Sequence, residues 1–143
     1  MKLRVAWIGK TKERAIQSLT LDYLKRLSYY VPTESLELAS EKAVQKQLDR
    51  PGQLLVALDA RGKQMSSEEL AQFLAAHQNR GTQALLFAIG PANGWSEETL
   101  RAASVQISLG RMTLPHELAR VVLLEQLYRA YTILKGHPYH LGH

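Results

Sequence analysis

Two periods of hydrophobic and polar residues succeed one another along the chain. Leu3 to Ile8 is an apolar-rich run of the kind that suits a buried strand, and Gly9 ends it. Ile16, Leu19, Tyr23, Leu27 and Tyr30 then recur every three or four residues, which predicts one face of a helix stopped by Pro32. Leu36 to Ala39 reads as a weak strand. Glu41 to Arg50 reads as a polar helix closed by Pro51-Gly52. Leu54 to Leu58 is a strong buried strand, with Asp59 to Lys63 as its exit loop. Ser66 or Ser67 before Glu68-Glu69 predicts a capped helix start, with the helix running to about His77. Ala84 to Ile89 is a further strand, and Ser96 caps a short helix. Val105 to Leu109 is the fifth strand. Pro115 fits the first turn of a long final helix bearing Leu118, Val121, Leu124, Tyr128 and Tyr131.

This alternation of strand and helix predicts an α/β fold, a mostly parallel sheet with flanking helices, in one domain over residues 1–143. No internal repeat or linker interrupts it. Ligands of such sheets bind beyond the carboxyl ends of the strands. Attention therefore falls on loops 9–12, 59–65, 90–95 and 109–115.

Each loop has a chemical and a plain reading. Gly90-Pro91-Ala92-Asn93-Gly94 could bring backbone amides close to a ligand, or could be an ordinary turn. It is neither a P-loop nor a dinucleotide fingerprint, since both spacings are missing. Leu109 to Leu114 combines Gly110 with Met112 and Leu114, which could pack on a flat ring, or could simply connect. Asp59 could act as a base or cap the next turn. His116 opens the last helix, and His137-Pro138-Tyr139-His140 closes the chain with two imidazoles and a phenol suited to stacking on a base and moving a proton. His137 and His140 have a metal-like spacing, yet no third ligand stands out, and no metal is expected. Arg120 and Arg129 project from opposite sides of the last helix, so they suit two sites, or one shared across a dimer.

Composition narrows the partners. Lys plus Arg is 18 against 13 for Asp plus Glu, a formal charge of +5, which favours a polyanion. Cysteine is absent, which excludes disulfides, thiolate metal sites and a cysteine nucleophile and suits a reducing cytoplasm. No apolar run reaches the length that spans a bilayer, and the first residues lack the features of a signal peptide. The expectation is a cytoplasmic protein with neither membrane nor DNA as partner.

Several segments occur together in a telling order. They are Leu58-Asp59-x-x-Gly62-Lys63-x-x-Ser66-Ser67-Glu68-Glu69, Ile89-Gly90-x-x-x-Gly94, Leu114-Pro115-His116 with Arg120, Leu127-Tyr128-Arg129-Ala130, and His137-Pro138-Tyr139-His140. With them the chain resembles, over its whole length, the ribosomal RNA large-subunit methyltransferase H family, small members of the SPOUT trefoil-knot methyltransferases. The resemblance implies a C-terminal trefoil knot, a homodimer, S-adenosylmethionine as cofactor, and methylation of N3 of a pseudouridine in 23S rRNA of the assembled ribosome. It further implies a cofactor pocket from Leu58, Gly90, Leu109, Gly110, Arg111, Met112, Thr113 and Leu114. The target base would meet His116, Arg129, Tyr139 and His140, with the tail of one subunit facing the cofactor of the other. His140 or His116 would take the proton, and Arg129 would hold the ring oxygen as it gains charge. Pro91 stands where the family often has glycine and removes a backbone donor; Leu141 stands where the family usually has a basic residue. Alternatives are a related knotted methyltransferase acting on another rRNA or tRNA position, and a ribosome-binding module without catalysis.

Overall fold

The computed structural model describes residues 1–141, the side chain of His140 excepted. Five strands are β1 (Lys2–Ile8), β2 (Thr33–Leu38), β3 (Gln53–Gln64), β4 (Ala84–Ile89) and β5 (Val105–Ser108). The helices between and after them are α1 (Arg14–Ser28), α2 (Glu41–Gln47), α3 (Ser67–Asn79), α4 (Glu97–Ala102) and α5 (His116–Leu134), and a 3-10 turn follows at Pro138–Leu141. All pairings are parallel, in the order β2-β1-β4-β3-β5. Trp7 and Leu58 both lie opposite Ile89, so β1, β4 and β3 end level and present their carboxyl ends together.

The two faces of the sheet differ in side-chain size. Leu3, Val5, Leu85, Phe87, Val56 and Ile107 point to one face, where Leu27 of α1, Leu74 of α3 and Leu123, Leu124 and Leu127 of α5 cover them. Ala6, Ala57 and Ala88 line the other, with Leu55 and Leu86. Small side chains there let the short α2 (through Val44) and the indole of Trp95 come in close. α3 starts with a complete capping box, in which Ser66 Oγ accepts from the Glu69 amide at 3.0 Å and Glu69 accepts from the Ser66 amide at 2.8 Å.

Several elements differ from the sequence reading, among them β2, which starts at Thr33 and not Leu36, and α2, which ends at Gln47 and not Arg50. The segment expected to be an exit loop after Leu58 belongs to β3, which bulges between Leu58 and Lys63 and then rejoins β5 at the same Ile107. Exposed polar residues carry that pairing, so hydrophobic periodicity gives no sign of it. Gly62 makes it feasible, because a Cβ there would lie 2.7 Å from the Gln106 backbone. Pro115 stands at the N-cap of α5, one residue before the first turn. α1 ends at Ser28, and Tyr30 packs from the turn beyond it, its ring stacked on Tyr131 at 6.2 Å.

Candidate active site

A cleft of about 630 Å³ opens at the carboxyl ends of β3, β4 and β5. Three of the four loops singled out above build it. Leu58 and the bulge after it form one wall, Gly90 to Trp95 a second, and Leu109, Gly110 and Met112 to Leu114 a third, with His116 at the start of α5. Arg111 is absent from the lining, and its side chain is exposed to solvent.

Trp95, which the sequence reading overlooked, organises the floor. Its ring is buried, and its Nε1–H donates to the Leu58 carbonyl at 2.9 Å, tying the β4 loop to the end of β3. A Cβ at residue 90 would lie 2.8 Å from that indole, so only glycine fits beside it. The signal in the sequence was a lone tryptophan directly behind a glycine-bounded loop. Pro91 brings no amide, and its carbonyl instead accepts from the Gly94 N–H at 2.8 Å, which closes the loop on itself. On the third wall Ser108 Oγ donates to the Gly110 carbonyl at 2.8 Å and accepts from its amide at 3.1 Å. Gly110 has φ +138°, a conformation that favours glycine.

Asp59 caps a turn. Its carboxylate accepts from the Arg61 amide at 2.8 Å and from Arg61 Nε at 3.2 Å. Hydrogen bonding to the Arg61 side chain holds its pKa below the usual carboxylate value. A carboxylate stabilised in this way is a poor proton acceptor.

His116 lines this cleft and also an adjoining hollow of about 450 Å³ between the starts of α1 and α5. Its Nε2 is buried and makes no hydrogen bond among the described residues. One turn further along, Arg120 is 1% exposed. Its guanidinium sits 3.8 Å from the centroid of the Trp7 ring and donates through Nη1 to Thr11 Oγ1 at 2.6 Å. Burial draws its pKa below the ordinary arginine value, though a guanidinium stays protonated.

The other end of α5 holds a separate cluster. Glu125 accepts from Arg129 Nη2 at 2.8 Å and Nε at 3.1 Å, and from the Tyr139 hydroxyl at 3.0 Å. Gln126 donates to Glu125 at 3.0 Å and accepts from Ser67 Oγ at 2.6 Å, which links the cluster to α3. The Tyr139 ring meets Tyr128 edge-on at 4.8 Å. Burial, aided by hydrogen bonding, raises the Tyr139 phenol well above its ordinary pKa, so it serves as a neutral donor. Arg129 and Tyr139, both of which the resemblance places at the target base, meet within one chain around Glu125, which the sequence reading missed. The missed signal was an acid four residues before Arg129, the spacing at which helical side chains pair. His116 and Arg129 lie about 20 Å apart along the helix, at 1.5 Å per residue, so one chain does not unite the two groups. The side chain of His140, the remaining candidate, lies outside the described part of the structure. The His137 imidazole nitrogen Nδ1 accepts from the Tyr139 amide at 3.2 Å and so caps the tail turn.

A family described as "Predicted SPOUT methyltransferase" matches residues 1–140. The chain belongs to the SPOUT methyltransferase family. The chain is 66% identical to a protein of Koribacter versatilis named "Ribosomal RNA large subunit methyltransferase H", with all of both chains covered. It is 43% identical to a protein of the same name from Geobacter sp. strain M21, covering 98% of this chain and 99% of that one. Among solved structures, a probable rRNA-methyltransferase from Porphyromonas gingivalis has the same fold, with TM-score 0.56 and 16% identity over 93% of this chain and 69% of that one. In this SPOUT methyltransferase, the cleft at the strand ends is the candidate site. No helix among the described residues is long and apolar enough to cross a membrane.

Proposed function

We propose that this chain methylates N3 of a pseudouridine in 23S rRNA of the assembled ribosome, as a cytoplasmic homodimer that uses S-adenosylmethionine. The observation that carries this reading is the cleft itself. Its walls are the segments Leu58, Gly90 and Leu109 to Leu114 that the family resemblance assigns to the cofactor, Arg111 apart. Its volume falls within the ordinary range for small-molecule sites, roughly 300–1,000 Å³. Gly90 against Trp95, and the Ser108–Gly110 lock, give the cofactor fixed backbone walls.

S-adenosylmethionine, when bound, supplies an electrophilic methyl group on a sulfonium. The protein's task is to align an attacking nitrogen in line with it and to take the nitrogen's proton. The S–CH3 bond breaks as the N3–CH3 bond forms, and the N3 proton passes to a histidine. His116, with its buried Nε2 at the edge of the cleft, is one candidate, and His140 of the tail is the other. Arg129 stabilises negative charge on the ring oxygen.

Two ends of α5 that lie about 20 Å apart can serve one reaction when two chains pair in opposite directions about a two-fold axis. Each tail then faces the partner's cleft. Leu19 and Leu118, 42% and 45% exposed, support such pairing with apolar surface on α1 and α5. The resemblance also implies a trefoil knot in the C-terminal region.

The decisive experiment offers labelled S-adenosylmethionine with assembled ribosomes, free 23S rRNA and tRNA. Transfer to ribosomes in preference to free rRNA is expected. Transfer to tRNA alone, or no heat of cofactor binding in calorimetry, overturns the reading. His116→Ala or His140→Ala is expected to lower turnover about 100-fold at saturating ribosomes. Near-normal turnover in both variants ends the histidine-base assignment.

A further inference from the structure

Loop 9–13, between β1 and α1, was the one strand-end loop that the cleft did not absorb, and it is unusually well fixed. Arg120 Nη1 holds Thr11 Oγ1 at 2.6 Å from below. Glu117 Oε1 accepts from the amides of Lys12 at 3.1 Å and Glu13 at 3.3 Å. The loop is therefore bonded to the first turns of α5, the same turns that bring His116 to the cleft. A buried guanidinium and a carboxylate spent on loop backbone are an expensive way to restrain a mere connector.

The fixed backbone presents Lys10, Lys12 and Arg14 outward. All three are exposed, and none forms an ion pair among the described residues. Acids nearby include Glu13, Glu37, which faces Arg120, and Glu117, which is engaged with the loop amides. Three cations within five residues thus flank Glu13 in sequence, and Glu13 lines, with Ala15 and Ile16, the hollow that shares His116 with the cleft.

We propose that Lys10, Lys12 and Arg14 bind the phosphates of the RNA strand next to the target nucleotide, so that this loop delivers the base to His116. This rests on the RNA-methyltransferase reading above. Phosphate neutralisation is the main source of protein–RNA affinity, and a pinned loop loses little entropy when the strand arrives. The chain's modest net charge is thereby concentrated where the base enters.

The test compares the wild-type protein, the triple variant Lys10→Gln/Lys12→Gln/Arg14→Gln, and a control of equal charge change on α2 and beyond it, Lys42→Gln/Lys46→Gln/Arg50→Gln. Methyl transfer to ribosomes is measured against RNA concentration and salt. The loop variant is expected to raise KM for ribosomes roughly tenfold with kcat within twofold. It should flatten the slope of log affinity against log salt by about 2, at ~0.7 per phosphate contact on a single strand. S-adenosylmethionine binding should stay the same, and Lys10→Arg/Lys12→Arg should keep wild-type KM. The α2 control should change none of these. Equal effects from the loop and control variants, or an unchanged KM and salt slope in the loop variant, overturn the proposal. A wild-type protein that transfers no methyl group to any RNA overturns the function reading, and the loop's role with it.

Discussion

The two ends of α5 are built on opposite principles. At the His116 end, a histidine nitrogen is left without a hydrogen-bond partner among the described residues and the walls are backbone, with Gly90 under an indole and Gly110 locked by Ser108. At the Arg129 end, polar atoms are tied together: arginine, tyrosine and glutamine all bond Glu125. The first is a cavity waiting for a ligand's atoms. The second is a finished cluster that holds the tail in place. On the proposed function, the first end holds the cofactor, and the second fixes the tail that brings Arg129 and Tyr139 to the base.

The largest effect should come from filling the first end. Gly90→Val places a Cβ 2.8 Å from Trp95 and pushes its ring off the Leu58 carbonyl. Overpacking of this kind costs about 1–3 kcal/mol of local packing and distorts the cleft wall; S-adenosylmethionine affinity should fall roughly tenfold or more in calorimetry. Unchanged affinity would mean that the cleft is not the cofactor site.

A mixing experiment sharpens the comparison next. If the chain pairs as proposed, His116→Ala and Tyr139→Ala proteins should each be impaired. Refolded together, the two should regain part of the turnover, because one site of each mixed dimer has both intact halves. No recovery would show that the two ends do not meet across subunits. Glu125→Gln is a gentler change in the second cluster. It keeps an acceptor for Tyr139 but loses the charge facing Arg129, at a cost of roughly 1–2 kcal/mol. Thermal unfolding should register that loss, and cofactor affinity should not move.

The smallest effect lies just beyond Arg129 on α5. Tyr131 is 2% exposed, and its hydroxyl has no hydrogen-bond partner among the described residues. Burial pushes its pKa up to about 12. Since the folded value exceeds the unfolded one near 10, the neutral phenol adds stability in full below pH 10, and this is lost as pH rises through about 12. Tyr131→Phe should raise stability by about 1 kcal/mol at neutral pH and lose less of it between pH 10 and 12. Denaturant melts across that range check both signs.

Much of this protein was legible in its sequence. Buried runs such as Leu54 to Leu58 and Ala84 to Ile89 announce strands because a parallel sheet covered on both faces tolerates little else. Ser66 and Ser96 announce helix starts because unpaired amides need an acceptor. Three of the strand-end loops singled out in the sequence do line the cleft, since in a parallel sheet the loops that follow strands gather at its carboxyl edge. Tertiary structure decided what depends on distance across the chain. The bulge of β3 arises from pairing with β5, the need for glycine at 90 arises from a tryptophan five residues on, and Arg120 becomes a loop clamp only because Thr11 folds onto it. The same holds for Glu125, whose role appears when the tail returns fourteen residues later to meet it. Local propensity and periodicity are properties of neighbours in sequence, whereas a polar atom's partner is chosen by the packed fold.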